Sequence, residues 1–257
     1  YNGSERFAEN NRWGFFPSVG AGWMLSNEKF FEPLRGVFDQ FKIKATYGMA
    51  GNDQIGDNKD RFYYMSDVNN GADNTVNWGE RLDYNLGGGF YVNRYANDQI
   101  GWEKSYKLNA GIEFVTTFGL GGTVEYFREK RENILLGRTI PSTTGITQEV
   151  KANLGEARGS GVDMERNYEK IFNKDLWIQA RGTFTYAASE VRVWEEPDYT
   201  DTPWVSAVGQ SIGRIGGYIA ERLFIDEDEV KNSPTQFGNY TAGDIKYRDV
   251  NNDGKIN

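Results

Sequence analysis

The 257 residues hold 37 acidic against 29 basic side chains, a net charge of -8, and contain neither cysteine nor histidine. Disulfides, thiol nucleophiles and Cys-ligated zinc are therefore excluded, as is a Ser–His–Asp hydrolase, and the commonest general base is missing. Aromatic residues reach 15% and glycine 31 residues in a polar background of mean hydropathy -0.67, with Lys and Arg too dispersed to form a nucleic-acid footprint.

This balance of aromatics and glycine suits strands that bury one face and are joined by many turns. No run of about 18 apolar residues occurs, so no helical membrane span is expected. The chain opens at Tyr1 without a secretory leader, and an exported protein is expected to have an upstream part.

The first strongly periodic window runs from Phe41 to Tyr47. Phe41, Ile43, Ala45 and Tyr47 alternate with Lys42, Lys44 and Thr46, the period of two that belongs to a strand. Leu108, Ala110, Ile112 and Phe114 alternate in the same way with Lys107, Asn109, Gly111 and Glu113. So do Ile178, Ala180, Gly182, Phe184 and Tyr186 with Gln179, Arg181, Thr183 and Thr185.

Tight turns are expected at Thr117–Gly121 and at Asn173-Lys174-Asp175, whereas roughly 51–100, 129–160 and 188–215 read as long polar connections. Loops beyond about 12–15 residues are uncommon in compact domains. Outer-membrane barrels instead alternate short periplasmic turns with long outer loops. The stretch 26–39 falls on the short side yet exceeds a tight turn. A soluble β-sandwich with one wet face alternates equally well; the linker rhythm and the aromatic content select an all-β, antiparallel transmembrane β-barrel. Lys42 and Lys44 then belong on the lumen face, because a lipid-facing cation at the bilayer midplane costs roughly 2–4 kcal/mol.

Candidate sites follow from chemistry. The 62–95 stretch carries Tyr63, Tyr64, Trp78, Tyr91 and Tyr95, whose faces can stack on a substrate or pack on a partner; packing the loop on itself, or forming an interfacial girdle, is the structural alternative. The acids Glu195-Glu196 and Asp226-Glu227-Asp228-Glu229 read as solvated loops. Neighbouring acids on a strand face opposite ways, so no glycosidase pair arises. Asp249, Asn251, Asp253 and Gly254 occupy positions one, three, five and six of a calcium loop, with Ile256 pinning it; the carboxylate of position twelve would lie beyond residue 257. A polar turn bonded to its own backbone is the simpler form of the same sequence.

Several local motifs resemble the SusC/RagA family of TonB-linked outer-membrane transporters. They are Arg12-Trp13-Gly14-Phe15-Phe16-Pro17-Ser18-Val19 with Ala21-Gly22-Trp23, Lys42 to Gly48 with Gly51-Asn52, and Trp102-Glu103-Lys104 before Leu108-Asn109-Ala110-Gly111. Asn133-Ile134-Leu135-Leu136, Asn153-Leu154-Gly155-Glu156 and Gly243 to Gly254 follow in the same order. The resemblance implies about ten strands of a barrel of 22, with the plug domain and the TonB-contacting segment having no counterpart in residues 1–257. It further implies TonB-driven import of an oligosaccharide or peptide across the outer membrane, beneath a SusD-like lipoprotein, and no enzymatic activity. The competing expectation is an extracellular glycan-binding or adhesive β-module stabilised by calcium.

Overall fold

A computed structural model describes residues 1–56, 61–78, 84–146 and 148–256, with the backbone alone for 72–78, 84–89 and 142. The chain divides into two units: residues 1–197 with 207–212, and residues 198–206 with 213–257.

The first unit contains β1 (Asn2–Gly3), β2 (Trp13–Gly14), β3 (Ser18–Met24), β4 (Phe38–Asn52), β5 (Asp67–Trp78), β6 (Tyr84–Arg94), β7 (Glu103–Thr116), β8 (Leu120–Gly137), β9 (Lys151–Ile171) and β10 (Trp177–Val193). Six of these form one antiparallel sheet in the order β10-β9-β8-β7-β4-β3, while β5 with β6 and β1 with β2 make separate two-stranded ribbons. Six of the ten strands of this unit thus form the wall among the described residues. It is a partial, unclosed barrel.

Register explains why the alternating windows lie where they do. One row runs across all six strands through Trp23, Ile43, Ile112, Val124, Met164 and Phe184, each paired with the next. The row above it is Ala21, Ala45, Ala110, Tyr126, Val162 and Tyr186. Among the described residues no second layer covers these side chains, and Trp23 is 53% and Phe184 58% exposed. In a sandwich the same rows would be buried against a facing sheet. From Phe41 to Met49 the outward face of β4 is apolar over about the 9–11 residues that a tilted membrane strand requires.

The opposite face is charged, as expected for a lumen. Lys42 pairs with Glu113 at 3.2 Å, and Lys44 lies between Glu113 and Glu125. Further along, Lys107 meets Glu129, Arg131 meets Glu103 and Arg181 meets Glu165. Most of these pairs join neighbouring strands, and Lys44–Glu125 reaches from β4 across β7 to β8, so the ladder of backbone bonds is backed by a ladder of opposite charges.

Both expected turns are present, Thr117–Gly119 between β7 and β8 and Phe172–Leu176 between β9 and β10. Gly119 closes the first at φ +90°, a conformation costly for any side chain. The stretch 26–39 forms 3-10 segments at Leu25–Asn27 and Lys29–Leu34. Its Phe31 is buried against Phe38 and Phe41, which explains why this connector exceeds a tight turn.

The long connections are shorter than the sequence suggested. Strand β8 runs on to Gly137 and β9 begins at Lys151, so the 129–160 loop reduces to residues 138–150. The physical reason is visible in Arg128-Glu129-Lys130-Arg131-Glu132: beyond the hydrocarbon both faces are wet, and polarity no longer alternates. Pairing persists regardless, with Arg131 opposite Ala157 and Lys130 opposite Arg158. Likewise β10 reaches Val193, and much of 51–100 is the β5–β6 ribbon.

The second unit contains β11 (Ala220–Leu223) paired with β12 (Ile245–Tyr247), and helix α1 (Glu227–Asn232). Tyr218, Phe237 and Tyr247 pack their rings together, with centroids 4.5 to 5.6 Å apart.

Candidate functional site

The connections from β4 to β7 and from β8 to β9 leave the wall at one end, opposite the tight turns and the 25–37 connector. Three of the sequence motifs converge at that end. The Phe16 ring lies against Trp102, with centroids 5.1 Å apart, and a Cβ on either Gly14 or Gly51 would overlap it. The two glycines are thus the space that the ring occupies. Trp102 also packs on Phe7 at 5.4 Å, and its Nε1 donates to the Arg12 carbonyl at 3.3 Å.

A second clasp forms around Asn153 at the start of β9. Its Oδ1 accepts from the Gly101 amide at 2.9 Å, while its Nδ2 donates to the carbonyls of Asn133 and Gly101 at 2.7 and 3.1 Å. Asn133 sits at φ +57°, a left-handed conformation that asparagine tolerates better than most residues. One side chain thereby fixes the ends of three segments.

The aromatic candidates separate into two groups. Tyr63 is 6% exposed and forms a small core with Phe7, Ile55 and Ile100. Arg94 and Lys151 lie over its ring at 5.2 and 5.4 Å. This corrects the expectation of an open stacking face at Tyr63: cations and apolar side chains of the same chain occupy it. Tyr64 is half-buried beside Phe62. Tyr91 and Tyr95, at opposite sides of the last residues of β6, are 36% and 37% exposed. Phe90, not singled out in the sequence, is 81% exposed. The side chain of Trp78 lies outside the described residues.

At the Asp249 loop, the Oδ1 and Oδ2 of Asp249 accept from the amides of Asn252 and Gly254 at 2.7 and 2.8 Å. Asp253 Oδ1 accepts from the Lys255 amide at 2.8 Å, and Asn251 Nδ2 donates to Asp253 Oδ2 at 2.8 Å. Asn252 and Gly254 adopt φ +59° and +84°, the sharp reversal that lets alternate oxygens converge. Ile256 is buried. Among the described residues no cluster of three or more Asp, Glu, His or Cys is arranged to hold a metal. Three side-chain donors fall short of the six to eight oxygens that calcium takes, so carbonyls and water would have to complete a shell.

The acidic runs are more structured than a solvated loop. Asp226 caps α1 by accepting from the Glu229 amide at 2.8 Å. Glu229 receives both guanidinium nitrogens of Arg222, the Lys246 ammonium at 3.0 Å and the Ile225 amide at 2.9 Å. These donors, Arg222 foremost, hold its carboxyl at about 2, below the ordinary 4.5. The D-x-x-E spacing is a helix-start signal that could have revealed this. Glu195 similarly takes the Arg138 fork, with contacts of 2.9 to 3.2 Å.

Comparison with known proteins agrees with this architecture. A family model described as "TonB dependent receptor-like, beta-barrel" matches residues 1–255. The TonB-dependent receptor SusC of Bacteroides thetaiotaomicron is 29% identical over 221 residues, covering 83% of this chain and 20% of that protein. The TonB-dependent receptor P39 of Formosa agariphila is 29% identical over 219 residues, covering 84% and 20%. The structure of the RagAB peptide importer in its "closed-closed" state superposes with a TM-score of 0.67 at 22% identity, over 97% of this chain and 26% of that one. The chain spans about a fifth of the length of the relatives it matches.

Proposed function

The chain belongs to the TonB-dependent receptor-like β-barrel family, and from that premise we propose that it supplies part of the wall and outer loops of an outer-membrane nutrient importer. The protein so formed takes up an oligosaccharide or a peptide, draws on TonB, and works with a SusD-like surface lipoprotein. It transports and catalyses no reaction.

The observation that carries this reading is the two-faced sheet. Its outward rows, from Trp23 to Phe184, are apolar and uncovered, while the opposite rows hold the Lys44, Glu113 and Glu125 cluster. A wall between hydrocarbon and water needs that division. Peptide as cargo draws on the likeness of the fold to the RagAB peptide importer, and the oligosaccharide alternative rests on the family resemblance.

Tyr64, Tyr91 and Tyr95 stand at the long-connection end as candidate contacts for substrate or lid, with Trp78 on the same ribbon. Calcium at Asp249, Asn251 and Asp253 enters as a stabiliser of its turn. The test uses the full-length protein in its native membrane. Deleting the gene should abolish uptake of one nutrient class, and the purified protein should bring a surface lipoprotein with it. Unchanged uptake of labelled oligosaccharides and peptides alike would overturn the assignment. A calcium titration that leaves the melting temperature of the full-length protein unmoved would remove the metal.

A further inference from the structure

Beside the Phe16–Trp102 junction lies a cleft of roughly 500 Å3. Met49 and Lys104 line it and fall on the same strand faces as Tyr47 and Leu108, so it opens on the outward side of the wall and not on the lumen. One side of the cleft is aromatic, with Trp13 and Phe15 59% and 66% exposed. The other side is polar but carries no acid: five carboxamide side chains line it, together with the Lys104 ammonium. Much of this polar capacity is unspent. Asn11 Nδ2 donates to the carbonyls of Asp98 and Ile100 at 3.0 and 3.4 Å, and Gln99 Nε2 donates to Asp98 Oδ1 at 2.9 Å. Among the described residues the Oδ1 of Asn11, the Oε1 of Gln99, the Asn10 carboxamide and the Lys104 ammonium have no partner.

We propose that this cleft is a surface site for a neutral oligosaccharide, held outside the conduit and separate from the path of import. A sugar ring has a C–H face that lies against an aromatic ring, and a rim of hydroxyls that donate and accept at once. A carboxamide presents an acceptor and a donor side by side, which is the complement of that rim. The other occupants of such a place fit less well. Hydrocarbon would strip water from the carboxamides and return no hydrogen bond. An extended peptide is held chiefly through a free strand edge, and β4, β7 and β8 beneath the cleft are each paired on both sides. A phosphate or carboxylate is typically clamped by several charge-assisted donors, whereas a single ammonium stands here among neutral amides. The walls are also fixed in advance. Phe16 is seated on Gly14 and Gly51, and Asn153 ties Gly101 to Asn133, so little ordering is left for the ligand to impose.

The test uses the full-length transporter in detergent and three probes, maltohexaose, cellohexaose and xylohexaose, each coupled to beads too large to enter the conduit. At least one bead-bound sugar should retain the protein, and the same sugar in free form should release it. Retention should weaken on the order of tenfold in Phe15→Ala/Gln99→Ala, which removes one aromatic face and one amide. Asn10→Ala, at an exposed position, should weaken it in the same direction. Trp177→Ala, which removes a ring 63% exposed at the tight-turn end of the wall, should bind as the wild type does. Casein peptides and phosphorylated lipid A should not compete at equal concentration. Failure to retain the protein on all three sugars, full strength in the double variant, equal loss in Trp177→Ala, or full competition by the peptides or the lipid would each overturn the site. Uptake of the free sugars reads out the import assignment separately. The double variant should still take up sugar supplied at saturation, whereas a wild-type protein that retains a sugar on beads but imports neither sugars nor peptides would overturn the import reading and leave the site standing.

Discussion

Gly51 lies directly beneath the Phe16 ring, so that a single added methyl would occupy the space the ring fills. Replacing it by alanine should therefore strain the junction of Phe16 with Trp102. Overpacking of this kind costs roughly 1–3 kcal/mol. Gly182, whose Cβ position meets open space, should accept alanine within about 0.5 kcal/mol. Urea titrations of the two variants of the full-length barrel in lipid vesicles give the comparison, and equal midpoints would contradict it.

The two faces of β10 make a sharper comparison. Phe184 pairs with Met164 on the outward side, and Thr183 pairs with Glu165 on the lumen side. Lysine at 184 should destabilise the refolded barrel by roughly 2–4 kcal/mol, and lysine at 183 by much less. Equal losses from these adjacent positions would refute the placement of lipid.

Tyr63 should behave as a core residue. Large aromatic-to-alanine changes in cores cost about 3–5 kcal/mol, and Tyr63→Ala should also release the chain around Phe7, Ile55 and Ile100. Tyr91→Ala and Tyr95→Ala should leave the melting temperature nearly unchanged and lower either uptake or lid affinity. If both transport readouts stay at the wild-type level, the exposed tyrosines have no such role.

Glu229 predicts a pH dependence with a defined sign. Its carboxyl is depressed from 4.5 to about 2, so its stabilising contribution is complete above about 4.5. That contribution is lost as pH falls toward and through about 2. Pepsin cleavage within 220–248 of the full-length protein should accelerate across that window relative to Glu229→Gln, which lacks the titrating group. Parallel pH profiles for the two proteins would show that the carboxylate contributes nothing there.

The sequence made legible whatever one-sided burial imposes. Ile43, Ile112 and Phe184 fall in one row because hydrocarbon on a single side enforces a period of two, and the turns at Thr117 and Asn173 follow from local turn chemistry. Strand length above the band was not legible. Between Arg128 and Glu132 both faces are wet, and nothing in the pattern separates a strand from a loop. Tyr63 was misjudged for a different reason: a buried aromatic in a polar stretch has the same local sequence as an exposed one, and its partners Phe7, Ile55 and Ile100 come from distant segments. At Asp226–Glu229, charge density hid a helix cap whose spacing was readable.

The length of β9 bears on where the protein meets its surroundings. Its 21 residues extend about 70 Å at roughly 3.4 Å each, whereas a tilted strand crosses the hydrocarbon in about 9–11. About half of the strand therefore stands in water as a rigid parapet. Anything that docks on the 138–150 connection is held well clear of the lipid surface, and Asn153 ties the base of that projection to Gly101 and Asn133.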